Sequence, residues 1–400
     1  MKKLKSVFNE NSGYKVLFLS IIMAGLGYGL YKGMIDNYLA EIVVMGEFDR
    51  GVAEFFRELP GLLLVFILAA FYTLSAEWLY KIGAVIMLVG MGMLSIISPT
   101  KVMVTLAICI YSLGEHIQLG MKSTLVLNYS KPGKGGVALG YQGSVQQVGT
   151  LIGFLVIIAA FYLMKGEQPF RPFFLAAAIL TAASMLIGFG LKGRSETDKT
   201  KRRFYFNKKF NKYYMLEIFY GARKQVFMTF GPYVLILFYG ADTALISLLF
   251  AVSAIACFFM APIVGKIIDR AGYKIVMVMD TIILVVVCFF YGFAHHIFPK
   301  NVALIVCCVN YVLDSIISLA SMASNVYVQD LSDSPEEMKA TLSTGISVNH
   351  LITILIALFG GWIWQTLGIE TLFILSAVLG LCNSAYAATI KVKKKAPEEV

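Results

Sequence analysis

Acidic, basic and imidazole side chains recur at helical spacing inside stretches of this sequence that are otherwise apolar. Tyr28, Lys32 and Asp36 repeat every four residues and would share one helix face. Glu54, Arg57 and Glu58 cluster at three- and four-residue spacing just before Pro60, the spacing of an ion-pair group within a single helix. Tyr111, Glu115, Gln118 and Lys122 form another polar line, with His116 beside Glu115. Glu217, Gly221 and Lys224 form the next, flanked by Arg223 and Gln225. Asn310, Asp314, Ser318, Ser321 and Asn325 read as one uninterrupted helical stripe; Gln142 and Gln146, then Ser343, Ser347 and His350, follow similar spacings. Asp280 has no sequence-local partner. A carboxyl group in apolar surroundings can take up and release protons, and a cation there either pairs with an acid or meets an anionic ligand. Glu115 with its titratable neighbour suits the first role. Lys32, Arg223 and Lys224 suit the second, with a purely structural ion-pairing role open for each.

Other chemistries lack their residues. There is no Walker loop, HExxH or GxSxG arrangement, and Gly133-Lys134 stands in a Gly-rich loop without the rest of a phosphate-binding motif. The six cysteines all fall in apolar runs and show no metal-ligand spacing. Neither a cofactor nor a bound metal is expected.

The elements that must hold these charges follow from composition. Of 400 residues, 58% are hydrophobic and 14% charged, and the mean hydropathy of +0.76 excludes an ordinary soluble chain. Each crossing of a ~30 Å hydrocarbon core needs about 20 apolar residues. Such runs predict helices near 15–40, 52–76, 81–99, 102–127, 136–163, 172–191, 213–239, 243–267, 273–294, 301–328, 340–364 and 370–390. The first is expected to be retained, because its run is too long for a signal peptide and no small-residue cleavage site closes it. The expected fold is therefore an all-α polytopic membrane protein of about twelve transmembrane helices. A polar stretch over 192–212 with nine Lys or Arg separates residues 1–191 from 213–390, leaving a tail over 391–400. With the N-terminus inside, 24 of the 34 Lys and Arg fall on inner segments or at the inner ends of helices (Lys15, Lys81, Lys266 and Lys274) and 5 on outer segments. That asymmetry predicts cytoplasmic termini, and it accounts for the net charge of +10 through topology and anionic lipid rather than nucleic acid.

The two halves resemble each other. Tyr28-Gly29-Leu30-Tyr31-Lys32 parallels Tyr220-Gly221-Ala222-Arg223-Lys224, and Ser144-Val145-Gln146 parallels Ser347-Val348-Asn349, in corresponding helices and in the same order. This reads as two pseudo-symmetric six-helix bundles. Between the eighth and ninth helices, Gly265-Lys-Ile-Ile-Asp269-Arg270-Ala-Gly272-Tyr-Lys274 resembles the signature G-x-x-x-D-R-x-G-x-K of the major facilitator superfamily. The equivalent loop of the first half, Ala76 to Val85, keeps only Lys81 and Gly83.

The resemblance implies a secondary transporter working by alternating access, with helices 1, 4, 7 and 10 lining the central cavity. Those four carry the most polar faces. Substrate-binding or coupling residues are then expected among Tyr28, Lys32, Arg57, Glu58, Glu115, His116, Lys122, Gln146, Glu217, Arg223, Lys224, Asp314 and His350. A cytoplasmic gate is expected at Gly265, Asp269, Arg270, Gly272 and Lys274. Partners would be a small polar solute, protons or another coupling ion, and lipids of the inner membrane around a monomer. A multidrug or lipid exporter of the same fold, a sensor or channel, and a membrane-embedded enzyme are the alternatives.

Overall fold

The computed structural model describes residues 2–9, 13–71, 73–164, 169–192 and 205–391; most of the expected linker (193–204) and tail (392–400) lie outside the described residues. The elements are helices throughout. They run α1 Lys2–Val7, α2 Tyr14–Asn37, α3 Glu47–Ala70, α4 Ala76–Ile96, α5 Lys101–Tyr129, α6 Gly135–Leu163, α7 Phe170–Phe189, α8 Asn211–Tyr239, α9 Thr243–Ala271, α10 Tyr273–Ile297, α11 Lys300–Ile317, α12 Met322–Leu331, α13 Pro335–Leu367 and α14 Ile369–Ala388. A π-helical turn, Tyr38–Ile42, extends α2, and a 3-10 turn, Ser318–Ser321, joins α11 to α12.

Among the described residues, ten helical segments are long and apolar enough to cross a membrane, with α11 and α12 counting as one. The long helices outside that set are α3 and α8. Both are rich in charge: α3 carries Glu47, Asp49, Arg50, Glu54, Arg57 and Glu58, and α8 carries Lys212, Glu217, Arg223 and Lys224. Large apolar side chains stand exposed along the spans, such as Ile179 at 61%, Phe258 at 63% and Ile305 at 63%. Water would penalise such faces and lipid does not. The chain is an all-α, multi-pass membrane protein.

Several boundaries differ from the sequence expectation, and two of the shifts have an evident local cause. α3 starts at Glu47 rather than 52, because Gly46 N–H donates to Asp49 Oδ2 at 3.0 Å and closes the first turn. α4 starts at Ala76 rather than 81, with Ser75 Oγ accepting from Trp78 N–H. The stripe over 310–325 is also not one α-helical face. Four residues of 3-10 winding advance the register by about 80°, nearly one residue. Asn325 is exposed, and Ser324 is the buried member of the pair, donating to Glu217.

The chain divides into two compact units, 1–203 with 232–254, and 204–231 with 255–400. In the first, α2 packs on α6 and α7, α4 on α5 and α7, and α3 on α5. The stripe of Gly25, Gly29 and Gly33 is what lets α2 approach so closely: a methyl group at Gly25 would stand 2.7 Å from the Gln146 carbonyl oxygen of α6. Ser20, Tyr80 and Ser184 tie α2, α4 and α7 through buried hydrogen bonds, with the Ser20 and Tyr80 hydroxyls 2.8 Å apart. In the second unit, α10 packs on α14, α11 and α12, and α13 on α14. Phe210, Tyr213, Tyr214, Ile268, Tyr273, Tyr327 and Ile390 close one end of it in a single apolar cluster.

Candidate functional site

In the first unit the charges of α2 and α3 join into a continuous ladder. Lys32 Nζ donates to Asp36 Oδ2 at 2.9 Å. Arg50 Nη2 stands 3.2 Å from Asp36 Oδ1, and its Nη1 donates to Glu54 Oε2 at 2.9 Å. Arg57 grips the same Glu54 with Nε at 2.9 Å and Nη2 at 2.6 Å, and also contacts Glu58. Three cations thus face three acids. Of the four interior members, Asp36, Arg50 and Glu54 are buried, a placement tolerable only because each is paired. Arg50, absent from the sequence-derived candidates, is the link between α2 and the Glu54 group. Its signal was present at Arg50 and Glu54, four residues apart, once the helix is started at Glu47.

Beside the ladder, Tyr28, Tyr31 and Tyr111 form an aromatic wall, with Tyr31 and Tyr111 ring centroids 4.9 Å apart. Glu115, Arg57, Glu54 and Asp36 all act electrostatically on Tyr28, so the structure gathers these groups around one spot. Glu115 makes no hydrogen bond or ion pair among the described residues. Lys122, buried on the same helix, donates to Gln146 Oε1 at 3.3 Å rather than bridging to Glu115. His116 bonds through Nδ1 to Ser112, whose hydroxyl donates to the Arg57 carbonyl in the turn before Pro60. Lys32 lies over the Phe250 ring at 4.8 Å.

In the second unit, Arg223 Nη2 donates to Asp280 Oδ2 at 2.6 Å, and both side chains are buried, at 2% and 6% exposure. This is the partner that Asp280 lacked in the sequence, 57 residues away. Thr281 supplies a second donor to Asp280, and the guanidinium lies over Tyr220. Glu217 accepts from Ser324 Oγ at 3.1 Å and from Asn349 Nδ2 at 3.2 Å. Glu217, Tyr220, Asp280, Ser321, Ser324 and Asn383 line a small cleft of about 10 Å³. The buried Asn383 Oδ1 has no hydrogen-bond partner there, the setting in which a bridging water is stable. Lys224 and Asp314 are different. Neither side chain makes a hydrogen bond or ion pair among the described residues, though Arg223 and Lys224 both act on the buried Asp314 carboxylate. Lys224 lies over the Tyr220 ring, 6.0 Å away, and acts electrostatically on Glu217 as well. His350 is half-buried on α13, and its carbonyl accepts from Thr353.

The signature turn sits where α9 hands over to α10. Gly272 alone makes the reversal with φ at 86°, the left-handed region that disfavours any side chain. Asp269 and Arg270 are exposed and make no ion pair among the described residues; Lys274 Nζ donates to the Ile390 carbonyl just past α14, at 3.0 Å. Gly265 has open space where a side chain would lie.

The chain belongs to the Major Facilitator Superfamily: the superfamily's sequence model matches residues 17–344, and again 213–400. The resemblance carried by the Gly265–Lys274 turn is borne out, and the protein is a transporter rather than an enzyme. No curated protein matches the chain in sequence. Among solved structures, the nucleoside transporter NupG is similar with a TM-score of 0.72 at 17% identity, covering 96% of this chain and 100% of that one. A POT family transporter in complex with 5-aminolevulinic acid gives 0.70 at 13% identity, covering 93% and 94%. A bacterial homolog of the human lysosomal transporter Spinster gives 0.66 at 14%, covering 93% and 95%. At these identities the likeness is one of fold.

Proposed function

We propose that the protein is a proton-coupled secondary transporter that moves a small anionic or zwitterionic solute across the inner membrane by alternating access. The observation that carries this reading is the uncommitted Lys224. A half-buried ammonium in a membrane helix is costly unless something meets it, and a substrate carboxylate or phosphate is a partner that can come and go. Asp314, within its electrostatic reach, offers the complementary charge for a substrate ammonium. One relative of known structure holds 5-aminolevulinic acid, which carries both groups. Glu115, polar-faced and equally uncommitted, is the carboxyl free to carry the coupling proton. The excess of Lys and Arg on inner segments supports cytoplasmic termini, with the basic stretch over 192–212 linking a bundle over 1–191 to another over 213–390.

The test is a panel of labelled solutes offered to proteoliposomes with and without an imposed proton gradient. An anionic or zwitterionic solute should accumulate only with the gradient, and Glu115→Gln should lose accumulation while still exchanging solute across the membrane. Accumulation by Glu115→Gln with an unchanged pH dependence would move the coupling role to Asp314 or Glu217. Transport of lipophilic cations alone would replace the reading with that of a multidrug exporter.

A further inference from the structure

At the end of α10 remote from the signature turn, two adjacent imidazoles converge on one carboxylate. α10 closes with His295-His296-Ile297, and α14 opens with Ile369-Glu370 immediately after Gly368. His296 Nε2 lies 2.9 Å and His295 Nε2 3.2 Å from the same oxygen, Glu370 Oε1. One ligand atom from each of the three residues can be chosen so that all lie within 4.8 Å of one another. Successive helix residues normally diverge by about 100°; here the ring centroids are only 3.9 Å apart, because both rings turn toward Glu370.

We propose that His295, His296 and Glu370 form a binding site for a divalent transition metal ion of the zinc class. The spacing suits one. Metal bonds of about 2.0–2.1 Å to nitrogen and oxygen place neighbouring ligand atoms of a tetrahedron about 3.3 Å apart, a spacing that the His295–Glu370 pair at 3.2 Å already meets and the His296–Glu370 pair at 2.9 Å would reach with a small opening. Two imidazoles and one carboxylate select Zn²⁺, Ni²⁺ or Cu²⁺ over Mg²⁺ or Ca²⁺, which prefer oxygen alone. Three protein ligands leave a fourth position for water, and with His296 at 58% and Glu370 at 30% exposure the ion has a way in. A bound ion fastens the end of α10 to the start of α14. A helix of 25 residues spans about 37 Å, so the site lies at the opposite membrane face from Asp269 and Arg270. Sequence spacing offered no hint of it, since Glu370 is 74 residues from His296. The site uses none of the residues of the transport reading and stands or falls separately.

The test uses the full-length protein, free of any affinity tag, purified in detergent, stripped with chelator and equilibrated with Zn²⁺, Co²⁺ or Mg²⁺. Mass spectrometry of bound metal should find one Zn²⁺ per chain and no retained Mg²⁺. The Co²⁺ form should show visible d–d bands without thiolate charge transfer, which separates this site from the six cysteines. His296→Ala, a change at an exposed side chain, and Glu370→Gln should each weaken Zn²⁺ binding at least about tenfold. A wild-type protein that binds no more Zn²⁺ than the His295→Ala/His296→Ala double variant, or a Co²⁺ spectrum of thiolate type, would overturn the proposal. Should Glu370→Gln aggregate, the His296→Ala titration decides alone.

Discussion

The ladder of the first unit and the charges of the second solve the same problem in opposite ways. From Lys32 through Asp36, Arg50, Glu54 and Arg57 to Glu58, cations and acids alternate, and each interior member touches two neighbours. Loss of the central Glu54 still leaves Arg50 with Asp36 and Arg57 with Glu58. In the second unit, Arg223 and Asp280 are a single closed pair, while Lys224 and Asp314 have no ion-pair partner among the described residues. A saturated network holds helices in place, whereas open charges in a membrane must be answered by water, protons or a ligand. The contrast separates groups that build the fold from groups available for chemistry.

The largest expected effect breaks the closed pair. Arg223→Leu strands a buried carboxylate and should cost about 3–5 kcal/mol of stability, seen as a steep loss of folded protein or of its melting temperature in detergent. Arg223→Leu/Asp280→Leu should recover much of it, because two well-packed apolar groups need no pairing. Glu54→Gln should cost less, about 1–3 kcal/mol, since Asp36 and Glu58 remain to answer Arg50 and Arg57. Equal losses in the two units would erase the distinction between ladder and pair.

The next effect tests the open charges. Lys224→Gln should weaken binding of an anionic substrate about tenfold or more, roughly 1.4 kcal/mol, with the melting temperature nearly unchanged. Lys32→Gln should disturb both, because Lys32 also neutralises Asp36. If Lys224→Gln instead fails to fold while any folded fraction binds normally, Lys224 belongs with the structural charges.

The apolar runs were legible because lipid imposes a length and a composition on every crossing, and the Gly265–Lys274 turn was legible because its spacing is distinctive. The ladder was half legible: Glu54, Arg57 and Glu58 are neighbours on one helix, but hydropathy starts that helix after Arg50. Arg223 with Asp280 was not, since nothing in one sequence couples residues 57 apart in different helices. The shift from Asn325 to Ser324 was invisible for another reason, as Ser-Leu-Ala-Ser suits α and 3-10 winding alike.

A smaller effect is expected at the exposed turn between α9 and α10. If Asp269 and Arg270 form an ion pair in only one access state, Asp269→Asn should slow turnover a few-fold, as the modest worth of an exposed pair allows, and leave substrate affinity intact. A wild-type transport rate would remove the latch.

The smallest effect lies outside the membrane, where the chain entering α8 meets the start of α13. Glu337 accepts from the Asp333 amide at 2.7 Å, the Tyr205 hydroxyl at 2.7 Å and Lys209 Nζ at 3.2 Å, while Lys209 also reaches Asp333 at 2.6 Å. The Asp333 amide foremost, then the Tyr205 hydroxyl and Lys209, hold the Glu337 carboxyl below the usual glutamate range. The hydrogen bond to Asp333 foremost holds the Lys209 ammonium above the usual lysine range. A lowered carboxyl contributes fully above its unfolded pKa and loses that contribution as pH falls through the folded value; a raised ammonium contributes fully below its unfolded pKa and loses it as pH rises through the folded value. Together they favour this junction across the neutral range, in contrast to the buried ladder, which water reaches less. Glu337→Gln should therefore lower the melting temperature slightly at neutral pH, and the difference from wild type should shrink as pH falls below about 4, where ordinary glutamates protonate. Raising salt should shrink it as well, because exposed charges are screened. A difference that stays constant from neutral to acid pH would mean that the side chain's shape, rather than its charge, holds the junction.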